Sequence, residues 1–213
     1  MKKLLILAGA ATMVASAQAN LISNGGFEAT AIAANSWVGV NASNIATYVP
    51  GWGFIGPENH NIALTGAGYL GQSTQEVDVS GGSDTVPSGL FQTISTTINQ
   101  AYQVSFQIYT GGGIGYSGGV NFDLYDGALY GTGIASGSNL QGNPVSGNAG
   151  LKTYTYNFVA TSTQATVAFT MFSQPVSHVD NVQVNAVPEP FTMSLGIASA
   201  GLFLRRRLKT KRG

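Results

Sequence analysis

The chain has 213 residues, 44% of them hydrophobic but only 8% charged, and it contains no cysteine, so no disulfide framework supports it. Its formal net charge of zero hides an uneven distribution: between residues 20 and 187 one cation, Lys152, stands against eight acidic residues. Such a surface cannot neutralise phosphates, which excludes nucleic-acid binding, and it favours cations as partners.

The chain opens with Met1-Lys2-Lys3, a short apolar run from Leu4 to Val14, and the small-x-small sequence Ala17-Gln18-Ala19. That order is a secretory signal, too short and wrongly flanked for a membrane span. Residues 1–19 are therefore assigned to a signal peptide that forms a helix and is removed by signal peptidase before Asn20. Residues 20–187 follow as one domain, long enough to bury its own core.

Within this domain the apolar period is two rather than 3.6. Leu90 to Ile94 is a short candidate strand. Tyr102 to Ile108 alternates cleanly, and so do Val120 to Leu124, Tyr154 to Phe158 and Val167 to Met171. Val182 to Val184 closes the series. Gly, Asn, Ser and Pro clusters separate the runs, most visibly at 111–119 and 136–150, and the latter reads as a loop. No stretch of the domain carries helical spacing over three turns. Many half-buried strands joined by glycine-rich turns predict an all-β sandwich or barrel. Two facing antiparallel sheets are the better fit, because each strand has one apolar face.

Several side chains are candidates for chemistry. Asp180 has the parity of Val182 and Val184, so it is expected to point toward the core side, where a carboxylate needs a partner. With one lysine and no arginine in the domain, calcium, which takes six to eight oxygen ligands, is a natural counter-ion, the alternative being that Glu28 and Asp180 accept backbone N–H bonds or lie in water. Trp52, in Pro50-Gly51-Trp52-Gly53-Phe54, reads as a core plug. Tyr109, Tyr116, Tyr125 and Tyr130 fall on polar strand faces or loops and are the ligand-surface candidates, because an exposed ring stacks on a sugar face. Gly113 to Gly118 matches a dinucleotide-loop pattern but has no helix behind it, and that reading is rejected. His60 and His178 have no metal-ligand spacing. Glu76 and Asp78 share a strand face and Asp123 and Asp126 flank a turn. Paired carboxylates at ~5–10 Å hydrolyse glycosides, but solvated charges explain these pairs as well, and a non-catalytic protein is expected.

The last segment, residues 188–213, begins with Pro188-Glu189-Pro190, which ends any preceding ladder. Phe191 to Leu204 then carries no charge, and Arg205-Arg206-Arg207 opens a basic end. As a helix at ~1.5 Å per residue this apolar stretch reaches about 21 Å, short of a ~30 Å hydrocarbon core. A short, weak transmembrane helix with its basic end in the cytoplasm is expected.

Pro188-Glu189-Pro190, the apolar span and the Arg205-Arg206-Arg207 cluster together resemble the bacterial Pro-Glu-Pro C-terminal (PEP-CTERM) sorting signal. That resemblance implies removal of the tail by an exosortase, transient anchoring in the inner membrane, and release to the surface or matrix of a polysaccharide-producing bacterium. The domain resembles galactose-binding-like jelly-roll domains through Asn20 to Glu28, Val49-Pro50-Gly51-Trp52, Leu90 to Ile94, Tyr102 to Phe106 and Val179 to Val184. It departs from them at Gly131 to Gly150, where an insertion-like stretch stands in place of a clear strand. This second resemblance implies carbohydrate binding and a structural calcium shared by Glu28 and Asp180, with carbonyls near Asn24 and Gly26. Three functions follow as expectations: an exported protein that binds extracellular glycan, a structural biofilm or adhesion protein without a sugar pocket, and, least favoured, a glycoside-active enzyme.

Overall fold

The two-residue alternation becomes a sandwich in the computed structural model, which describes residues 19–69, 73–80, 86–111, 118–145, 148–173 and 176–188. In chain order its strands are β1 (Trp37–Val40), β2 (Gly53–Ile55), β3 (Ile62–Thr65), β4 (Glu76–Asp78), β5 (Gly89–Ser95) and β6 (Ala101–Gly111). They continue as β7 (Gly119–Asp126), β8 (Thr132–Leu140), β9 (Asn143–Val145), β10 (Asn148–Gly150), β11 (Lys152–Val159), β12 (Gln164–Ser173) and β13 (Val176–Ala186). A single helical turn, α1 (Ile45–Tyr48), lies between β1 and β2.

Two antiparallel sheets face each other: β1-β3-β4-β13-β6-β11 and β2-β5-β12-β7-β8. Successive strands β5, β6 and β7 change sheet at each step, as do β11, β12 and β13, which is the wrapping of a jelly roll. The expected all-β, two-sheet fold is the one found. The core is the set of inward positions of both sheets. Val104, Phe106 and Ile108 of β6 and Val179 and Val184 of β13 meet Leu90 of β5, Phe122 and Leu124 of β7 and Phe169 of β12, all fully buried. Phe106 is the hub, 4.9 Å from the Phe122 ring and 4.8 Å edge-on to Phe169. Such ring pairs add about 0.5–1.5 kcal/mol each beyond area burial.

Trp52 is the core plug expected of it. It packs 5.4 Å from the Phe27 ring and donates its Nε1–H to the Asn24 carbonyl at 3.1 Å. The segment after Asn20 runs along β13, with the Leu21 N–H on the Val184 carbonyl and the Val182 N–H on the Gly25 carbonyl. That approach requires glycine, because a Cβ on Gly25 would stand 2.0 Å from the Val182 oxygen.

The stretch 136–150 is corrected. It was expected to be a loop, yet it holds the second half of β8 and the small β9–β10 hairpin. Asp123 pairs with Ser136 and Phe122 with Gly137 along the edge of β7. Backbone pairing along the edge of β7 carries most of this strand, and only Ile134, Ala135 and Leu140 pack on the core, so no regular apolar alternation is needed to form it. Gly137 in particular leaves room for the Tyr156 hydroxyl, which a Cβ there would meet at 2.2 Å.

A second correction concerns Asp180. Asp180 pairs with Gln107 and Gln183 with Ser105, so β13 holds one residue more than β6 between these points. The extra residue is a β-bulge at Asn181, whose φ is +51°. Side-chain parity inverts across it: Val182 and Val184 face the core, whereas Asp180 and His178 lie on the outer face of the six-stranded sheet.

No helix among the described residues is long and apolar enough to cross a membrane. The expected signal helix and C-terminal helix, at 1–18 and 189–213, lie outside the described residues, as does Tyr116.

Candidate functional site

The outer face of the five-stranded sheet carries the ligand-surface candidates. On β7 the inward residues are Phe122 and Leu124, which turns Asn121, Asp123 and Tyr125 outward. Asp123 sits in a cross-strand row with Ala168 of β12 and Phe91 of β5 on one side and Ser136 of β8 on the other. The small Ala168 leaves a hollow of about 280 Å³ lined by Ile55, Val86, Pro87, Asp123, Tyr125 and Tyr130 among others. A shallower one of about 240 Å³ adjoins it toward β8 and shares Asp123 and Tyr125.

Tyr125 and Tyr130 form an edge-to-face pair with centroids 6.0 Å apart. Tyr130 is 69% exposed and held at φ +64° in the β7–β8 turn, where the Gly131 N–H bonds the Ala128 carbonyl. A left-handed tyrosine costs ~1–3 kcal/mol, and at this exposure no burial offsets it. Burial raises Asp123 above the usual carboxylate range. Burial, the Asp123 charge and Tyr130 together raise Tyr125.

Tyr109 is not part of this face. It is on β6 of the other sheet, 3% exposed, and packs edge-on against the His178 ring at 5.4 Å. It is polar-face by parity, as expected, yet covered, so it is corrected from a ligand platform to a packing residue. Neither expected carboxylate pair forms an open catalytic dyad. Asp123 and Asp126 have opposite parity, and hydrogen bonds from Ser162 and from the Thr161 hydroxyl lower the Asp126 pKa. Glu76 and Asp78 do share a face, but Glu76 is 2% exposed.

That second pair belongs to a buried polar cluster on the outer face of the six-stranded sheet. β4 pairs with β13 so that Asp78 lies opposite His178. The His178 ring stands between two carboxylates, with Nδ1 3.0 Å from Glu76 Oε1 and Nε2 3.8 Å from Asp78 Oδ2. Its burial works against a charged ring, but the Glu76 contact and the charges of Asp78 and Glu76 outweigh that and raise its pKa. Two residues on, Asp180 is 2% exposed. Asp180 accepts hydrogen bonds from the Asn181 N–H at 2.6 Å and the Thr74 hydroxyl at 3.1 Å. Burial nevertheless pushes its carboxyl up to about 7, with the charges of Glu76 and Glu28 adding to the rise.

Glu28 lies within electrostatic reach of Asp180, and its Oε1 accepts the Gln75 N–H at 2.8 Å. Gly26 also lies beside it, since a Cβ there would be 4.0 Å from Asp180 Oδ1. Asn24 is turned elsewhere: its carbonyl accepts from Trp52, and its side chain bridges the Pro50 carbonyl and the Ala29 N–H. The sequence reading missed the role of Glu76, Asp78 and His178. The signal was present in two i, i+2 pairs, Glu76 with Asp78 and His178 with Asp180, but only strand pairing lays one pair beside the other.

No family model matches this sequence, and no curated protein does. Solved structures share its fold. Part of the enzymatically active domain of bacteriophage CBA120 tailspike protein 4 is similar at 15% identity, over 79% of this chain and 21% of that one, with a TM-score of 0.50. TmCBM61, solved with beta-1,4-galactotriose, is similar at 13% identity over 80% of this chain and all of that one, with a TM-score of 0.49. A family 16 carbohydrate-binding module is similar at 15% identity over 78% and 99%, with a TM-score of 0.44. At these identities the likeness is one of fold.

Proposed function

We propose that this chain is a non-catalytic glycan-binding protein and that sugar docks on the outer face of the five-stranded sheet. The observation that carries the reading is Tyr130, exposed and strained at the rim of a hollow that also holds Tyr125 and Asp123. Two ring faces and a hydroxyl-accepting carboxylate beside a small-residue floor are what a pyranose needs: stacking for its C–H face and an acceptor for its hydroxyls. A hollow of about 280 Å³ lies just below the ~300–1,000 Å³ of drug-sized sites, which suits one sugar unit of a longer chain lying across the sheet. The carboxylates of the described residues do not converge in an open cleft, which favours binding over hydrolysis. The second reading, a structural matrix protein without a sugar pocket, has no comparable feature in its support.

The same proposal includes export by signal peptidase, exosortase removal of the tail after transient anchoring in the inner membrane, and residence in the extracellular polysaccharide matrix. Its support is the order of elements at the two ends of the sequence. It also includes a structural calcium at Asp180 and Glu28. Among the described residues no group of three or more acidic or histidine side chains is placed to hold a metal ion, so backbone carbonyls would have to complete the shell around the two carboxylates. A buried carboxylate held near pH 7 beside Glu28 and Glu76 has no lysine or arginine to meet it. Calcium would neutralise Asp180 and tie β13 to the loop that bears Glu28. Asp180 and Tyr125 are on opposite outer faces of the sandwich, so calcium would act on stability and leave sugar contacts alone.

A glycan-array and polysaccharide pull-down screen with the purified chain tests the reading, with Tyr130→Ala and Tyr125→Ala in parallel. Retention on at least one polysaccharide, lost in both variants, is expected. A folded chain that retains none would leave the structural matrix reading. Intact mass of the protein recovered from the matrix tests the processing, the expected result being loss of residues 1–19 and of the basic tail.

A further inference from the structure

Asp123 is an unusual carboxylate. It is half-buried, and no hydrogen bond or ion pair to it exists among the described residues. Burying a charge without compensation is unfavourable, and proteins normally pair it. The one lysine of the domain, Lys152, is placed elsewhere: it lies on β11 of the other sheet with its Nζ 4.8 Å from the Tyr154 ring centroid. Around Asp123 the remaining lining groups are apolar or neutral, apart from the two tyrosines.

A lone carboxylate flanked by two aromatic rings is a site for an ammonium group, which gains both an ion pair and cation–π contact in a partly desolvated position. Resting on the glycan-binding reading above, we infer that the hollow at Asp123, Tyr125 and Tyr130 takes a glycan bearing free amino groups, a polymer of 2-amino-2-deoxy sugars, in preference to neutral or acidic chains. The amine sits on Asp123 and the sugar ring against Tyr125 and Tyr130. The acidic domain, with eight carboxylates to one lysine between residues 20 and 187, draws a cationic polymer toward the face and repels uronates. Tyr125 and Tyr130 are the only other titratable groups lining either hollow among the described residues, so acidification acts on the site through Asp123. With burial raising Asp123, amine binding falls away on acidification sooner than it would at an exposed aspartate.

The test is calorimetric titration of the full chain with a glucosamine oligosaccharide and with its N-acetylated counterpart, at a pH where the amine is protonated. The expected result is at least tenfold tighter binding of the free amine. Added salt weakens that preference, and Asp123→Asn abolishes it, weakening the free-amine oligosaccharide at least tenfold more than its acetylated counterpart. Asp126→Asn, on the opposite parity, leaves it unchanged, and circular dichroism shows each variant folded. Equal affinity for both oligosaccharides, or a preference that survives Asp123→Asn, overturns the inference and leaves glycan binding standing. Failure to bind these and every glycan of the array overturns both.

Discussion

Replacing Asp180 by asparagine is expected to change the sign of its effect with calcium. The carboxyl moves from its ordinary 3.8 to about 7, which at ~1.4 kcal/mol for each tenfold change in proton affinity makes the buried charge unfavourable by at most about 4 kcal/mol. The sign follows from linkage. The folded state holds the proton more tightly than the unfolded chain, so in chelator stability rises as pH falls from about 8 toward 4, and is lowest above 7. At pH 8 in chelator, Asp180→Asn removes the charge while its amide oxygen still accepts the Asn181 N–H. A net gain of roughly 2 kcal/mol is expected, some 4–8 °C in Tm for a domain of this size. With calcium at about 100 times its Kd the parent chain gains ~2.7 kcal/mol, the variant gains little, and the order reverses. Thermal melts by circular dichroism in chelator and in excess calcium read both effects. A variant that is more stable by the same margin in both buffers would refute the cation site. A variant less stable in both would show that Asp180 is satisfied by protein groups alone.

Three further outcomes follow from the packing. Phe106→Ala empties the centre of the ring cluster around Phe122 and Phe169 and should cost about 3–5 kcal/mol in urea unfolding, with an unchanged m-value. Gly25→Ala forces a Cβ onto the Val182 oxygen, so the Val182 N–H to Gly25 carbonyl bond should open, seen as faster amide exchange at Val182 and a loss above ~1 kcal/mol. Tyr130→Gly relieves the positive φ and should raise stability by about 1 kcal/mol while weakening retention on the bound polysaccharide. Loss of both stability and binding would mean that the turn itself depends on the ring.

The strands with clean alternating runs, β6, β7, β11 and β12, and β5 from a shorter one, were legible in the sequence because period-two burial of one face writes itself into residue order. So were the two-sheet fold, the buried Trp52 and the charge balance that leaves acidic groups without cations. β8 was not legible, because an edge strand is held by its neighbour's backbone and tolerates glycine and serine at almost every position. Nor was the face of Asp180, since a single bulge residue at Asn181 reverses parity while leaving the residue spacing intact. The grouping of Glu76, Asp78 and His178 came from pairing between strands about 100 positions apart, and the isolation of Asp123 from Lys152 came from the placing of β7 and β11 in opposite sheets. Local order thus determines which face of a strand is apolar; which polar groups meet is decided by register between distant strands, and that is a property of the folded sandwich alone.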